Sequence, residues 1–360
     1  MAQINKKSMW ITIAGIGIVI IVAAAIFYAI SYNSQFEAPQ ANAEPEQFTM
    51  PLGSGDFKEL SALLKEKGFV KSEVGFKIAY FKKNGIGITA TTCVDCFVPG
   101  AYKISKNMTA WEVADFIKKG PYMKWVVIPE GLRKEQITEL IGDALNWDQE
   151  AKTKWVGNYT AMNYDEIEGV YFPDTYLLPV DETGFQIADR LRAKFNEKFA
   201  PYADKFVKAN IKWNTALKIA SIVQREAAGK DDMPLIAGIL WNRLTKGMRI
   251  EVDATVQYVR DSVIHYGKTP NDVQLAGYSS EGDWWKPIRV EDIKIESPYN
   301  TYLNKGLPPH PICNPGLDAI DAVLNSAETK CLYYLHDSSG QIHCAETYEE
   351  HQANIEKYLR

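Results

Sequence analysis

Cysteine is scarce, five in 360 residues, too few for the disulfide-dense scaffold of a small secreted domain. Neither sign of charge dominates: Lys+Arg 40 against Asp+Glu 45 leaves a net charge of −5. A generally basic nucleic-acid binder is therefore excluded. Internal repeats and long low-complexity tracts are absent, which removes solenoid and collagen-like chains. No standard zinc spacing occurs either. Cys331, His336, His343 and Cys344 do not match one, and adjacent strand residues such as His343 and Cys344 point to opposite faces. No metal or other cofactor is expected. Hydrophobic residues at 46% and charged residues at 24% fit an ordinary folded chain of two or three domains.

One long apolar run stands at the front. Residues 9–30 are 22 consecutive residues without a charge, a helix of about 33 Å against a hydrocarbon core of about 30 Å. Trp10, Tyr28 and Tyr32 lie near its ends, at headgroup depth. The run exceeds the usual apolar region of a cleaved signal peptide, so residues 9–32 read as a retained anchor. Lys6 and Lys7 precede it and no Lys or Arg follows until Lys58. The short tail, residues 1–8, is expected in the cytoplasm and the bulk of the chain outside. Residues 33–53, rich in Ala, Pro, Gln and Glu, read as a tether. In that compartment Cys93 and Cys96, a CxxC pair, read as free thiols or a structural disulfide. Phe97-Val-Pro-Gly100 argues against the helix a redox site would need.

The remainder alternates helical and extended patterns, an α+β chain. Residues 56–120 read as a small α+β module, with helices at 56–68 and from 108 to Gly120. A strand is expected at 124–129 and helices at 133–145 and 186–199. Asn214 is placed to cap a helix over 215–228 that Gly229 ends, and a second helix follows Asp231 and Asp232 and ends at Gly247. Asp253 is placed to cap a short helix through Arg260. Residues 262–295 read as a long insertion, a hairpin is expected at 331–345, and Thr347 with Glu350 forms a capping box.

Glu226 is the residue that stands out. It lies seven residues after Ile219, four after Ile222 and three after Val223, on the apolar face and near the helix C-terminus. Desolvation and the negative end of the helix dipole both disfavour its ionised form. A general acid working near neutral pH needs that elevation. An ordinary ion pair with Lys230, four residues on, is the alternative from periodicity alone.

Flanking motifs extend this reading. They are Glu168-Gly-Val-Tyr-Phe-Pro-Asp-Thr-Tyr176, Ala220-Ser-Ile-Val-Gln-Arg-Glu226, Ile236-Ala-Gly-Ile-Leu-Trp-Asn-Arg-Leu244, Asp253-Ala-Thr-Val-Gln-Tyr258, Ser297-Pro-Tyr-Asn-Thr-Tyr302, Gly306-Leu-Pro-Pro309 and Asn314-Pro-Gly316. Together, and in this order, they resemble the endolytic murein transglycosylases, the YceG-like family. The resemblance covers essentially the whole chain. It implies a transmembrane helix, a small LysM-like module (residues 54–123) and a mixed α+β catalytic domain (residues 124–360). It also implies Glu226 as the catalytic residue and cleavage of peptidoglycan between N-acetylmuramic acid and N-acetylglucosamine, leaving 1,6-anhydromuramyl ends. Asn242, Asp253, Thr255, Tyr299, Asn300 and Tyr302 are the expected substrate-binding residues. A bacterial inner membrane is the implied location and cell-wall synthases are a candidate partner class. Gln224 stands where members often carry a second Glu, and His310 where a Gly is usual. Trp284 and Trp285 are read as sugar-stacking or loop-bracing residues. A non-catalytic glycan-binding scaffold and a water-admitting hydrolase are the competing functions.

Overall fold

The computed structural model describes residues 6–87, 96–163, 166–266 and 284–359. The chain divides into two compact units, Met1–Trp125 with Pro179–Asp181, and Val126–Leu178 with Glu182–Arg360. Cys93 and half of the expected insertion, residues 267–283, lie outside the described residues.

The first unit begins with α1 (Lys6–Ser34). Its stretch Ala14–Ser34 is long and apolar enough to cross a membrane, consistent with an anchor. A strand–helix–helix–strand run follows: β1 (Glu46–Met50), α2 (Phe57–Glu66), α3 (Glu73–Lys83) and β2 (Gly100–Ile104). α4 (Ala110–Lys119) and β3 (Met123–Val127) complete it. β1 pairs antiparallel with β2, Glu46 opposite Ile104, and β2 pairs antiparallel with the start of β3. Asp56 and Ser72 cap α2 and α3, and Thr109 with Glu112 makes a capping box for α4, satisfying N–H groups that a helix start leaves bare. Leu60, Leu64, Phe76, Tyr80, Tyr102 and Val113 form the core.

The expected tether is corrected here. Phe36, Phe48 and Met50 are buried, Phe36 stacks on Trp111 at 5.3 Å, and the backbone N–H of Ala110 donates to Phe36 O at 2.9 Å. Three apolar side chains in a polar run are enough when strand pairing satisfies the intervening backbone. The segment is part of the module.

The second unit is mainly helical: α5 (Lys134–Leu145), α6 (Gln149–Lys154) with a π-helical turn at Trp155–Tyr159, β4 (Thr175–Pro179), α7 (Gly184–Lys208), α8 (Trp213–Glu226), α9 (Met233–Thr245), α10 (Asp253–Tyr266) and α11 (Leu317–Leu324). β5 (Tyr333–His336) pairs with β6 (Ile342–Ala345), and α12 (Tyr348–Tyr358) closes the chain. α8 is central. Ala216, Leu217, Ile219, Ala220, Ile222 and Val223 are each 0% exposed, and burial of each large aliphatic contributes roughly 1.5–3 kcal/mol. α7, α9, α10 and α11 pack around it. Gly238 lets α9 meet the chain at Ala327, because a Cβ there would stand 2.3 Å from Ala327 O.

Several expected ends move. α8 starts at Trp213 with Lys212 as a cap that makes no side-chain bond, so Asn214 is not its cap. α7 continues through Pro201 to Lys208, and α10 runs on past Arg260 to Tyr266.

Candidate active site

Glu226 is the last residue of α8, where Ala227 turns the backbone extended. Its Oε1 accepts the backbone N–H of Ala254 at 3.0 Å, and its Oε2 accepts the Tyr334 hydroxyl at 2.7 Å. Ala254 is in the first turn of α10 and Tyr334 is on β5, so three elements converge on one carboxyl group. Among the described residues no Lys or Arg forms an ion pair with it, so the pairing with Lys230 is not made. Burial raises its pKa, the two hydrogen bonds oppose the rise, nearby Asp253 adds to it and His336 lowers it. A half-buried carboxyl held by neutral donors can keep a proton and still meet a ligand.

Asp253 and Tyr302 join this centre. The Tyr302 hydroxyl donates to Asp253 Oδ1 at 2.6 Å, and Asp253 is the neighbour of the Ala254 amide that holds Glu226. Two further residues, absent from the sequence expectation, complete the surroundings. Tyr334 is one. The other is His336, which faces Asp232 at 3.2 Å. Their signal was the expected hairpin itself, since residues two apart on a strand share a face.

Of the other expected binding residues, Thr255, Asn300 and Tyr299 are corrected. Thr255 is 0% exposed and spends its hydroxyl on Val252 O and Thr301 Oγ1. Asn300, also 0% exposed, donates to Ile293 O and Ile295 O and accepts from the Tyr302 N–H. Tyr299 is buried against Tyr258, ring centroids 4.9 Å apart. Asn242 gives both its amide bonds to Thr329 O and Cys331 O, fixing the approach to β5. Thr255, Asn300 and Tyr299, buried and bonded or packed inside the chain, are scaffold rather than groove, whereas Asn242 is half-buried. Trp284 stacks on His265 and Trp285 donates to Gln136, both in loop bracing.

Cys331 and Cys344 form a disulfide, and Cys96 is also disulfide-bonded. The Cys331–Cys344 bond closes the hairpin that carries Tyr334. A cavity of about 970 Å³ lies elsewhere, lined by Phe195, Phe199, Phe206, Arg192 and Trp213 among others. It includes none of Glu226's partners and sits toward the opposite end of α8.

Comparison with known proteins settles the family. The model of the YceG-like family matches residues 49–357. This chain belongs to the YceG-like family. It is 26% identical over 343 residues to the endolytic murein transglycosylase of Streptococcus pneumoniae strain D39, covering 86% of this chain and 58% of that protein. The chain thus spans less than two thirds of the streptococcal relative's length. It is also 26% identical over 334 residues to the endolytic murein transglycosylase of Bacillus subtilis strain 168, covering 86% of this chain and 84% of that one. The crystal structure of a YceG-like protein from Listeria monocytogenes matches with a TM-score of 0.54 at 25% identity, covering 87% of this chain and all of that one. Against this YceG-like background Gln224 serves the scaffold, and its Oε1 accepts the Gly316 N–H at 3.0 Å. His310 is buried.

Proposed function

We propose that this chain is a membrane-anchored endolytic transglycosylase that cuts peptidoglycan strands between N-acetylmuramic acid and N-acetylglucosamine. The observation that carries this is the setting of Glu226: a carboxyl at a helix C-terminus, desolvated and, among the described residues, hydrogen-bonded to neutral donors. Protonated Glu226 gives its proton to the leaving glycosidic oxygen. The muramyl N-acetyl group stabilises the oxocarbenium-like centre, as in substrate-assisted glycosidases. The carboxylate then takes the proton of the sugar's C6 hydroxyl, which closes on C1 and leaves a 1,6-anhydro end. Tyr334 and the Ala254 amide hold the carboxylate between the two transfers, and fixed donors of this kind stabilise charge without reorganising. Asp253 and Tyr302 are the side chains placed to touch sugar.

The apolar helix keeps the catalytic unit at the outer face of the bacterial inner membrane, with the N-terminus in the cytoplasm. The strand–helix–helix–strand order of residues 46–104 supports a LysM-like, glycan-binding reading of the first unit. Cell-wall synthases are the partner class this placement favours.

Mass spectrometry of digested peptidoglycan tests the reading. Anhydromuramyl ends are expected. Ends carrying one added water would point instead to hydrolysis, for which Asp253 stands ready as the second carboxylate that glycosidases use. An absence of products would leave a glycan-binding scaffold.

A further inference from the structure

We infer that Arg225 forms a carboxylate-binding subsite beside Glu226 and takes an anionic group borne by the muramyl sugar. The inference rests on the glycan-cleaving function proposed above. The Arg225 guanidinium lies over the Trp285 ring, 4.3 Å from its centroid. That ring is pinned. The Trp285 backbone N–H donates to Asp261 Oδ2 at 2.7 Å, its indole N–H donates to Gln136 Oε1 at 2.9 Å, and its φ is 60°. A bulky residue holds such a backbone angle only where its surroundings impose it.

Other enclosed arginines of this unit have their charge met at contact distance. Arg133 is matched by Glu135, Arg243 by Glu251 and Arg260 by Asp261. Arg225 differs. Among the described residues it has no ion pair and no hydrogen bond, and its Nε is enclosed without a partner. Asp261, the acid on its Trp285 side, is already spent on Arg260 and the Trp285 amide. Beside the guanidinium lies Gly131, where even a Cβ would stand 3.3 Å from Nη1. A desolvated cation with no partner costs stability, and with one face on Trp285 and Nε enclosed the guanidinium has its terminal Nη1 and Nη2 groups left to meet an anion end-on.

The two sugars of the strand differ in one relevant way. Only the muramyl residue bears carboxylates, either on its lactyl ether or on the peptide attached there. An arginine one residue before the acid would therefore set which sugar lies on which side of Glu226, and so which of the two alternating bonds is cut.

The test uses the full chain and three strand preparations: stripped of peptide, peptide-bearing, and stripped with the lactyl carboxyls converted to amides. Wild type is expected to bind and cut carboxylate-bearing strands about 10- to 100-fold better than amidated ones, the scale of charge-assisted hydrogen bonds. Arg225→Gln should erase that preference and Arg225→Lys should restore part of it. A larger gain on stripped strands assigns the lactyl carboxylate, and a larger gain on peptide-bearing strands assigns the peptide. Equal treatment of charged and amidated strands by wild type overturns the inference, as does an equal loss on both in Arg225→Gln. If wild type cuts no strand, the proposed function fails, while the binding preference still decides the subsite.

Discussion

Glu168 and Glu226 both have carboxyl groups driven upward by burial, but the second unit treats them differently. Glu168 is 1% exposed and is pushed up to about 8 by desolvation and the neighbouring Glu135. It accepts the Lys134 backbone N–H at 3.2 Å and an amide N–H of Asn314. Glu135 is held low by Arg133 and Lys134, and Arg133 donates to it at 3.0 Å inside the core. This is a sealed cluster of two cations and two acids, tying residues 133–135 to Glu168 and Asn314. Among the described residues Glu226 has no contact cation, and it is only partly covered. An elevated pKa is thus common to both places. Access and the absence of a paired cation set Glu226 apart, and those are what proton transfer to a ligand requires.

The most severe challenge to this contrast is Glu226→Gln, which keeps shape and loses the proton. Cleavage should fall by roughly 10²- to 10⁴-fold in a digestion assay, while glycan binding persists. Stability gives the complementary reading. A carboxyl whose folded pKa is raised binds more protons folded than unfolded, so its contribution falls as pH rises through the folded value. Near neutral pH the Gln variant should therefore unfold at no lower urea concentration than wild type. Turnover close to normal would end the role assigned to Glu226.

The sealed cluster should respond in the opposite sense. Arg133→Met leaves Glu135 buried without its cation, which costs about 3–5 kcal/mol. Urea unfolding should show that loss, and the little activity change per folded molecule should separate it from Glu226→Gln. A midpoint equal to wild type would show that the cluster tolerates an unpaired charge.

Much of this contrast was legible in the residue pattern, and the part that was not has physical causes. The apolar period of α8 placed Glu226 on the inner face because six neighbours share one helical stripe. The partners of Glu226 could not be read the same way. Ala254 is 28 residues away and Tyr334 is 108 residues away, and an amide or a lone tyrosine leaves no local period. Motif membership misled for Thr255, Tyr299 and Asn300, because a motif records what a site needs nearby and does not separate a wall from its foundations. The same non-locality hid β1, whose partner strand begins 50 residues after it ends. Phe76, Tyr80 and Phe81 of α3 gave no amphipathic stripe clear enough to predict that helix.

Tyr334→Phe probes how finely the open carboxyl is tuned. The hydroxyl stabilises the ionised form and so lowers the Glu226 pKa. Its removal should raise that pKa further, moving the alkaline limb of the pH–rate profile up by about one unit, with turnover reduced about tenfold. A limb that stays in place would mean that the Tyr334 bond contributes nothing to the acid.

Asp253→Asn should produce the smallest effect, and of the opposite sign. The Asp253 charge raises the Glu226 pKa, so its loss should move the alkaline limb downward by a fraction of a unit. In an exposed position such charge effects are screened, and a few-fold change in rate is expected. The variant also separates the two chemistries. A single-carboxylate lyase needs Asp253 only as a sugar contact and a source of field. A two-carboxylate hydrolase needs it as base or nucleophile, and would lose activity on the scale of Glu226→Gln. A collapse of that size, with plus-water ends among the wild-type products, would move the reaction from Glu226 alone to the pair.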